Sequence, residues 1–335
     1  MFPKLRALTF IATLLALTTF SFLVAAPGGA ASATTLNEFV ATTTLTQPTG
    51  VVLQLRSLRD GHILDTLVRG EAGRHITGVS AVLQDNGKVL AAVTTNYCTS
   101  TIERINPLTN HVSLLRKVTP SISDLTLSPN GEEIAYVTFP NCEAATPSEA
   151  VRFGPNILVV MKLFNGTSQR TPTDLPGHPV DGLTWSPNGQ NIAASYSGNT
   201  SRILIFSATR PNFDRSYRVP NPSTPKGCSL VTPAWTHNGI VAAEGCGGTP
   251  PSPFRRLVLM TNTGTIKRSW TLPACVGGID TTTTPRSAIV IVVMNVGYGN
   301  GSCGSHVYEE LASLQPHGLR TILHVPDGSS WLNLS

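Results

Sequence analysis

Five stretches of the chain repeat one short theme. Ser123-Asp-Leu-Thr-Leu-Ser-Pro-Asn-Gly-Glu-Glu-Ile-Ala-Tyr-Val137 is echoed by Gly182-Leu-Thr-Trp-Ser-Pro-Asn-Gly-Gln-Asn-Ile-Ala-Ala-Ser195. Weaker copies run over Val79–Val93 and Thr232–Ala243, and the faintest over Ile279–Val293. A small unit repeated this way cannot bury its apolar residues alone, so the copies must pack against one another in a repeat architecture. The turn glycines Gly87, Gly131, Gly189 and Gly239 are separated by 44, 58 and 50 residues. Such spacing suits a four-stranded propeller blade of about 40–50 residues with some long loops.

Each copy reads as strand, tight turn, strand. Asn-Gly predicts a type I′ turn, whose two central residues both need positive φ. Ser-Pro ahead of it ends the first strand, because proline cannot donate to a central ladder. The second strand is β-branched and alanine-rich, which suits a crowded inner position. Another hairpin follows each copy: Val51–Val68, Thr101–Val118, Asn156–Leu175, Arg202–Val219, Arg256–Leu272 and His306–Val325. Apolar residues alternate along them, as in Leu53/Leu55 and Leu257/Leu259. Six outer hairpins stand against five inner ones. The two chain ends can supply the missing inner pair, Asn37–Leu45 as one strand and Ser329–Leu334 as the other. The reading is therefore all-β: a six-bladed β-propeller with four-stranded blades, its ring closed by the N- and C-terminal strands, which removes open sheet edges. A seventh blade within Phe139–Val160 is the alternative count.

The Ser-Pro-Asn-Gly-x-x-Ile-Ala pattern resembles the TolB-type and WD-repeat-like β-propellers of bacteria. The likeness covers roughly residues 36–335. Gly-His and Trp-Asp signatures of the WD type are not visible, so the TolB-like reading fits better. Propellers of this kind host many roles, so the resemblance specifies fold more than function.

Lys4 and Arg6 precede an apolar run from Ala7 to Ala26, and Ala31-Ser-Ala33 offers a small-residue cleavage site. Residues 1–33 read as a secretory signal peptide and 34–335 as one propeller domain. The expected location is secreted; retention of the run would instead leave a cell-surface, N-terminally anchored protein. Loss of Lys4 and Arg6 lowers the formal charge from +5 to +3. No basic run or aromatic–basic interleaving is present, so nucleic acid is not an expected partner. A membrane contact is expected only if the signal segment stays, and the domain is expected to be a monomer.

Six cysteines in an exported chain point to disulfides. In a propeller blade the strands alternate in direction. Cys98, Cys142, Cys246 and Cys303 follow the second inner strand of a repeat, and Cys228 and Cys275 precede the first. All six then fall on one face. Cys228–Cys246 and Cys275–Cys303 join neighbouring strands of one blade, leaving Cys98–Cys142 as a bridge between blades. The loops they hold place Asn96, Tyr97, Tyr298 and Asn300 on that face as candidate binding residues.

Asp124, Asp181 and Asp280 each lie at the start of an inner strand, at the mouth of the expected channel. Converging carboxylates there suit a hard cation such as calcium. The plainer reading is that each aspartate hydrogen-bonds its own loop backbone. Trp185 and Trp235 share one repeat position and are expected to pack between blades. His75 and His178 sit near the mouth, but no Gly-x-Ser-x-Gly elbow or His-Glu-x-x-His pair accompanies them. No cofactor is expected. The resulting expectation is a non-enzymatic platform binding a protein, peptide or glycan. The competing class is a metal-dependent, lactonase-like propeller hydrolase using the mouth carboxylates.

Overall fold

A computed structural model describes residues 38–46, 49–57, 59–69, 75–82, 88–96, 99–138, 157–172, 180–196, 202–209, 217–218, 228–246, 254–283, 290–296, 308–325 and 330–334. Every regular element among them is a strand. The first set is β1 (Glu38–Thr46), β2 (Thr49–Ser57) and β3 (Ile63–Arg69). The second is β4 (His75–Val82), β5 (Lys88–Asn96), β6 (Thr99–Ile105) and β7 (Val112–Val118). The third is β8 (Ile122–Leu127), β9 (Glu133–Thr138), β10 (Ile157–Lys162) and β11 (Ser168–Pro172). The fourth is β12 (Val180–Trp185), β13 (Asn191–Tyr196), β14 (Arg202–Ser207) and β15 (Tyr217–Arg218). The last stretch holds β16 (Cys228–Thr236), β17 (Gly239–Cys246), β18 (Phe254–Met260), β19 (Ile266–Thr283), β20 (Val290–Val296), β21 (Tyr308–Gln315), β22 (Gly318–Val325) and β23 (Ser330–Leu334).

These strands make four four-stranded antiparallel sheets and one of seven strands. In the first sheet β23 pairs with β1, placing Trp331 opposite Thr44 and Leu334 opposite Ala41. Both ends of the described chain therefore share one sheet, in the pairing read from the sequence. In the third sheet β9 pairs directly with β10, so residues 139–156, which lie outside the described residues, fall between two strands of one sheet. The seven-stranded sheet arises because β19 is long. Its first part pairs with β18 and its second part, from Val276 to Thr283, with β20. Cys275, with φ of 67°, sits where the partner changes.

The inner turns differ from the type I′ expectation. Only the glycine takes positive φ, 67° at Gly131 and 68° at Gly189. The asparagines act through their side chains. Asn130 Oδ1 accepts from the Glu132 N–H at 3.1 Å, while Ser128 Oγ accepts from the Glu133 N–H at 2.9 Å. Asn188 and Ser186 repeat both bonds, at 3.1 and 2.9 Å. The Ser-Pro-Asn-Gly segment thus closes its own turn with side-chain caps, and glycine alone carries the left-handed step.

Strand alternation divides the core. In β9, Ile134 and Tyr136 pack with Leu90, Ile102 and Val118 of the second sheet. Ala135 and Val137, one residue out of phase, pack with Trp185, Ile192 and Phe206 of the fourth. Each inner strand is apolar on both sides because each sheet is sandwiched between two others. Trp185 and Trp235 lie in the layers shared with the preceding sheet, as expected from their repeat position. A fully buried leucine or isoleucine such as Leu158 or Ile192 contributes about 1.5–3 kcal/mol.

Candidate functional site

The first strands of the inner hairpins start at one edge of each sheet, and each is irregular there. Register shifts fall between Ile76 and Gly78, Ile122 and Asp124, Asp181 and Thr184, Val231 and Ala234, and Val276 and Gly278. A bulge at this point bends the strand and turns its side chains out of the ladder. Gly182 shows what the bend requires. Its φ is 62°, and a Cβ there would lie 3.0 Å from both Thr232 Cα and Pro233 Cδ. Thr232, at the same repeat position, holds φ of 46° despite β-branching, and its buried hydroxyl has no hydrogen-bond partner among the described residues.

Asp124 is held by backbone. Its Oδ1 accepts from the Leu125 N–H at 2.7 Å, and its Oδ2 from the Leu183 N–H of the next sheet at 2.6 Å. Asp280 Oδ1 accepts from the Thr281 N–H at 2.8 Å. The structure brings Asp124 to the amide of Leu183. Asp181 is the second residue of β12, and its side chain lies outside the described residues, as does that of Asn96, which ends β5. Tyr97, Cys98, Cys142, Tyr298, Asn300 and Cys303 lie outside the described residues altogether.

Cys228 and Cys246 are opposite each other on β16 and β17 and form a disulfide with Cα atoms 4.0 Å apart. Cys275 is also disulfide-bonded, to a cysteine outside the described residues. Beside the first bridge lies a pair that the sequence reading missed. Glu244, 3 % exposed, accepts from Arg256 Nε at 2.7 Å and Nη2 at 2.8 Å. Donating these hydrogen bonds to Glu244 raises the Arg256 pKa above its ordinary value. The signal was a lone glutamate in the apolar run Ile240–Ala243, with an arginine at the matching rung of the next strand. Among the described residues, Cys228, Glu244 and Cys246 form the one group of three potential metal ligands within 4.8 Å of one another. With the two sulfurs bonded to each other, the group serves as a staple and an ion pair.

The opposite edge of the sheets carries tight turns and a cleft of about 280 Å³. Val160 and Ala208 form its apolar floor, and Glu133, Lys162, Ser168 and Gln169 its polar walls. This cleft lies between the third and fourth sheets, away from the cysteine-bearing edge.

Against solved structures the chain is similar to TolB from Acinetobacter baumannii, with a TM-score of 0.63, 12 % identity, and coverage of 89 % of this chain and 65 % of that one. A putative TolB from Agrobacterium tumefaciens matches with a TM-score of 0.54 at 12 % identity, over 89 % of this chain and 97 % of that one. Hydrazine synthase of Kuenenia stuttgartiensis follows at 0.53 and 12 %, over 80 % and 70 %. The chain has a β-propeller fold. At such identity the likeness speaks to the fold alone, and the chain spans just under two thirds of the Acinetobacter protein. No protein-family model and no curated protein sequence matches this chain.

Proposed function

We propose that this protein is an exported, six-bladed, non-enzymatic propeller that captures a protein, peptide or glycan on its cysteine-bearing face. The observation that carries the reading is the build of that face. The loops after β17 and before β16 are tied by Cys228–Cys246, with the Glu244–Arg256 pair beside them. Loops held on a rigid β scaffold are the usual place for recognition. TolB-like architecture supports a protein-binding role. Six blades follow if β19 is counted as the outer strand of one blade and the inner strand of the next. A ring follows if the first and last sheets meet, and a Cβ on Gly61 of the first would stand 2.7 Å from Leu323 of the last.

Asn96, Tyr97, Tyr298 and Asn300 are the contact residues in this proposal. Alanine at all four should abolish partner capture in a cross-linking pull-down and leave melting unchanged. Hydrolysis of a lactone or ester panel, lost on Asp181→Ala, would replace this reading with the hydrolase one. Export is tested by the N-terminus of the secreted protein, which should lie near Thr34.

A further inference from the structure

We propose that the outer gap between the second and third sheets binds a tetrahedral oxyanion, a phosphate or sulfate group, between Arg116 and Arg170. This goes beyond the partner-binding face above and does not rest on it. Strand register brings the cations together. In the second sheet Arg116 ends the rung Ala92–Ile102–Arg116, and Arg104 lies on the next rung of the same face, opposite Leu90. In the third sheet Arg170 ends the rung Tyr136–Val159–Arg170. Leu90, Ala92, Ile102, Tyr136 and Val159 all belong to the core layer that these two sheets share. Side chains of one rung stand on one face of a sheet. The three arginines therefore face the same layer, and all three are exposed at its outer end.

Contacts across the gap agree with the register. Arg116 Nη1 on β7 donates to the Gly166 carbonyl, in the β10–β11 turn, at 2.8 Å, and lies 3.2 Å from Met161 Sδ. Burial raises the Tyr136 pKa, and the charges of Arg116 and Arg170 pull it back in part. Both guanidiniums thus lie close to one phenol. No carboxylate shares these rungs. Glu103 lies opposite Ala91, in the layer toward the first sheet, and Glu133 opposite Lys162, in the cleft toward the fourth. Glu132 keeps its charge in the turn before β9, where it accepts from the Asn130 amide at 3.1 Å, and it forms no ion pair with the three arginines. The guanidiniums of Arg104 and Arg170 make no hydrogen bond or ion pair among the described residues. Like charges gathered without a counter-charge repel, and an anion between them removes that cost.

The donors left over define the class of anion. With Nη1 held by Gly166, Arg116 presents Nε and Nη2, the same fork with which Arg256 grips Glu244. Arg170 presents a second fork from the other wall. A carboxylate has only two oxygens and fills one fork, whereas a phosphate or sulfate group has oxygens enough for both. Because the arginines are exposed, the group can be a free ion or the end of a larger molecule.

The test is calorimetric titration of the full chain with inorganic phosphate, inorganic sulfate and glycerol phosphate, at constant ionic strength in chloride. Saturable binding should weaken about tenfold or more in Arg116→Gln and in Arg170→Gln, since each removes a charge-assisted fork. Arg170→Lys should also lose affinity, because an ammonium keeps the charge but not the fork. Lys117 lies on the opposite face of β7, on the rung of Val93 and Thr101, so Lys117→Gln removes an equal charge and should bind like the wild type. Arg116→Gln also loses the Gly166 bond; if it fails to fold, Arg170→Gln decides, because Arg170 has no such bond to lose. Equal affinity for phosphate and glycerol phosphate would support the site and show that it accepts a group carried by a larger molecule. Phosphate bound with the ester excluded would support it for the free ion. No saturable binding of any of the three anions would overturn the proposal. So would a loss in Lys117→Gln as large as in Arg170→Gln, which is the mark of net charge alone.

Discussion

Two joints between neighbouring sheets solve the same problem differently. The third and fourth sheets are separate and are tied by side chains. Asp124 accepts the Leu183 N–H, and the Trp185 indole donates to the Thr126 carbonyl at 3.2 Å. At the end of the chain β19 runs without a break from one sheet partner to the next, and the link is the backbone itself. Side-chain bonds across this joint run from the Thr281 hydroxyl to the Thr232 carbonyl and from the Trp270 indole to the Pro316 carbonyl at 3.4 Å. Where a connection is long, polar side chains must fix the angle between sheets. A continuous strand fixes it through the ladder on each side of a single left-handed residue. The first sheet adds a third kind of joint, made by pairing the two ends of the chain.

Removing residues 327–335 attacks that third joint and should have the largest effect. It strips the β1–β23 ladder, and the melting transition should fall further than for any change below; an unchanged transition would mean that the terminal pairing does not hold the fold. Cys228→Ser with Cys246→Ser should cost about 3 kcal/mol, because the bridge closes a loop with a sequence separation of 18. Denaturant curves of the wild type under reduction should show a larger loss, because the Cys275 bridge is reduced as well.

The two joints are compared directly by a pair of variants. Asp124→Ala leaves the Leu183 N–H without its charged acceptor and should cost roughly 2 kcal/mol. Thr281→Val removes one neutral hydroxyl bond at a joint carried by backbone and should cost about 1 kcal/mol. Equal losses in urea unfolding would mean that the continuous strand contributes nothing special.

The smallest expected effect lies outside both joints. The bonds from His62 and Ser57 hold the Asp60 carboxyl below its ordinary pKa. A depressed pKa stabilises the fold above the unfolded value, and that contribution disappears as pH falls through the folded value. Asp60→Asn should therefore lower the melting temperature slightly near neutrality and leave it unchanged at acid pH, where the two profiles converge. An identical profile in both proteins would remove the role assigned to that turn.

The sequence carried the repeat with little ambiguity. Ser-Pro-Asn-Gly fixes a turn, since proline stops the first strand and glycine alone tolerates the left-handed step. The alanine-rich second strand, as in Ile134–Val137, already suited a crowded inner position. The pairing of Ser329–Leu334 with Asn37–Leu45 followed from an unequal count of hairpins, and Cys228 with Cys246 from the start of one inner strand lying beside the end of the next. Those are local or periodic facts, so a linear string can hold them.

What only the tertiary structure decided depends on contacts between sheets. Asp124 was read as bonding its own loop backbone, and what the sequence could not show is that its second oxygen meets an amide 59 residues away. Glu244 and Arg256 find each other only because a strand register sets them on facing rungs. The joining of two repeats through β19 was invisible too. Nothing in Leu272–Val276 distinguishes a loop from a strand until the sheets on both sides offer hydrogen-bond partners. The exposure of Leu108 and Phe164 at their turn tips was not legible in the sequence. Sequence gives a turn its conformation through the residue that must go left-handed, but whether the tip meets solvent or a neighbouring sheet is set by where the sheets stand.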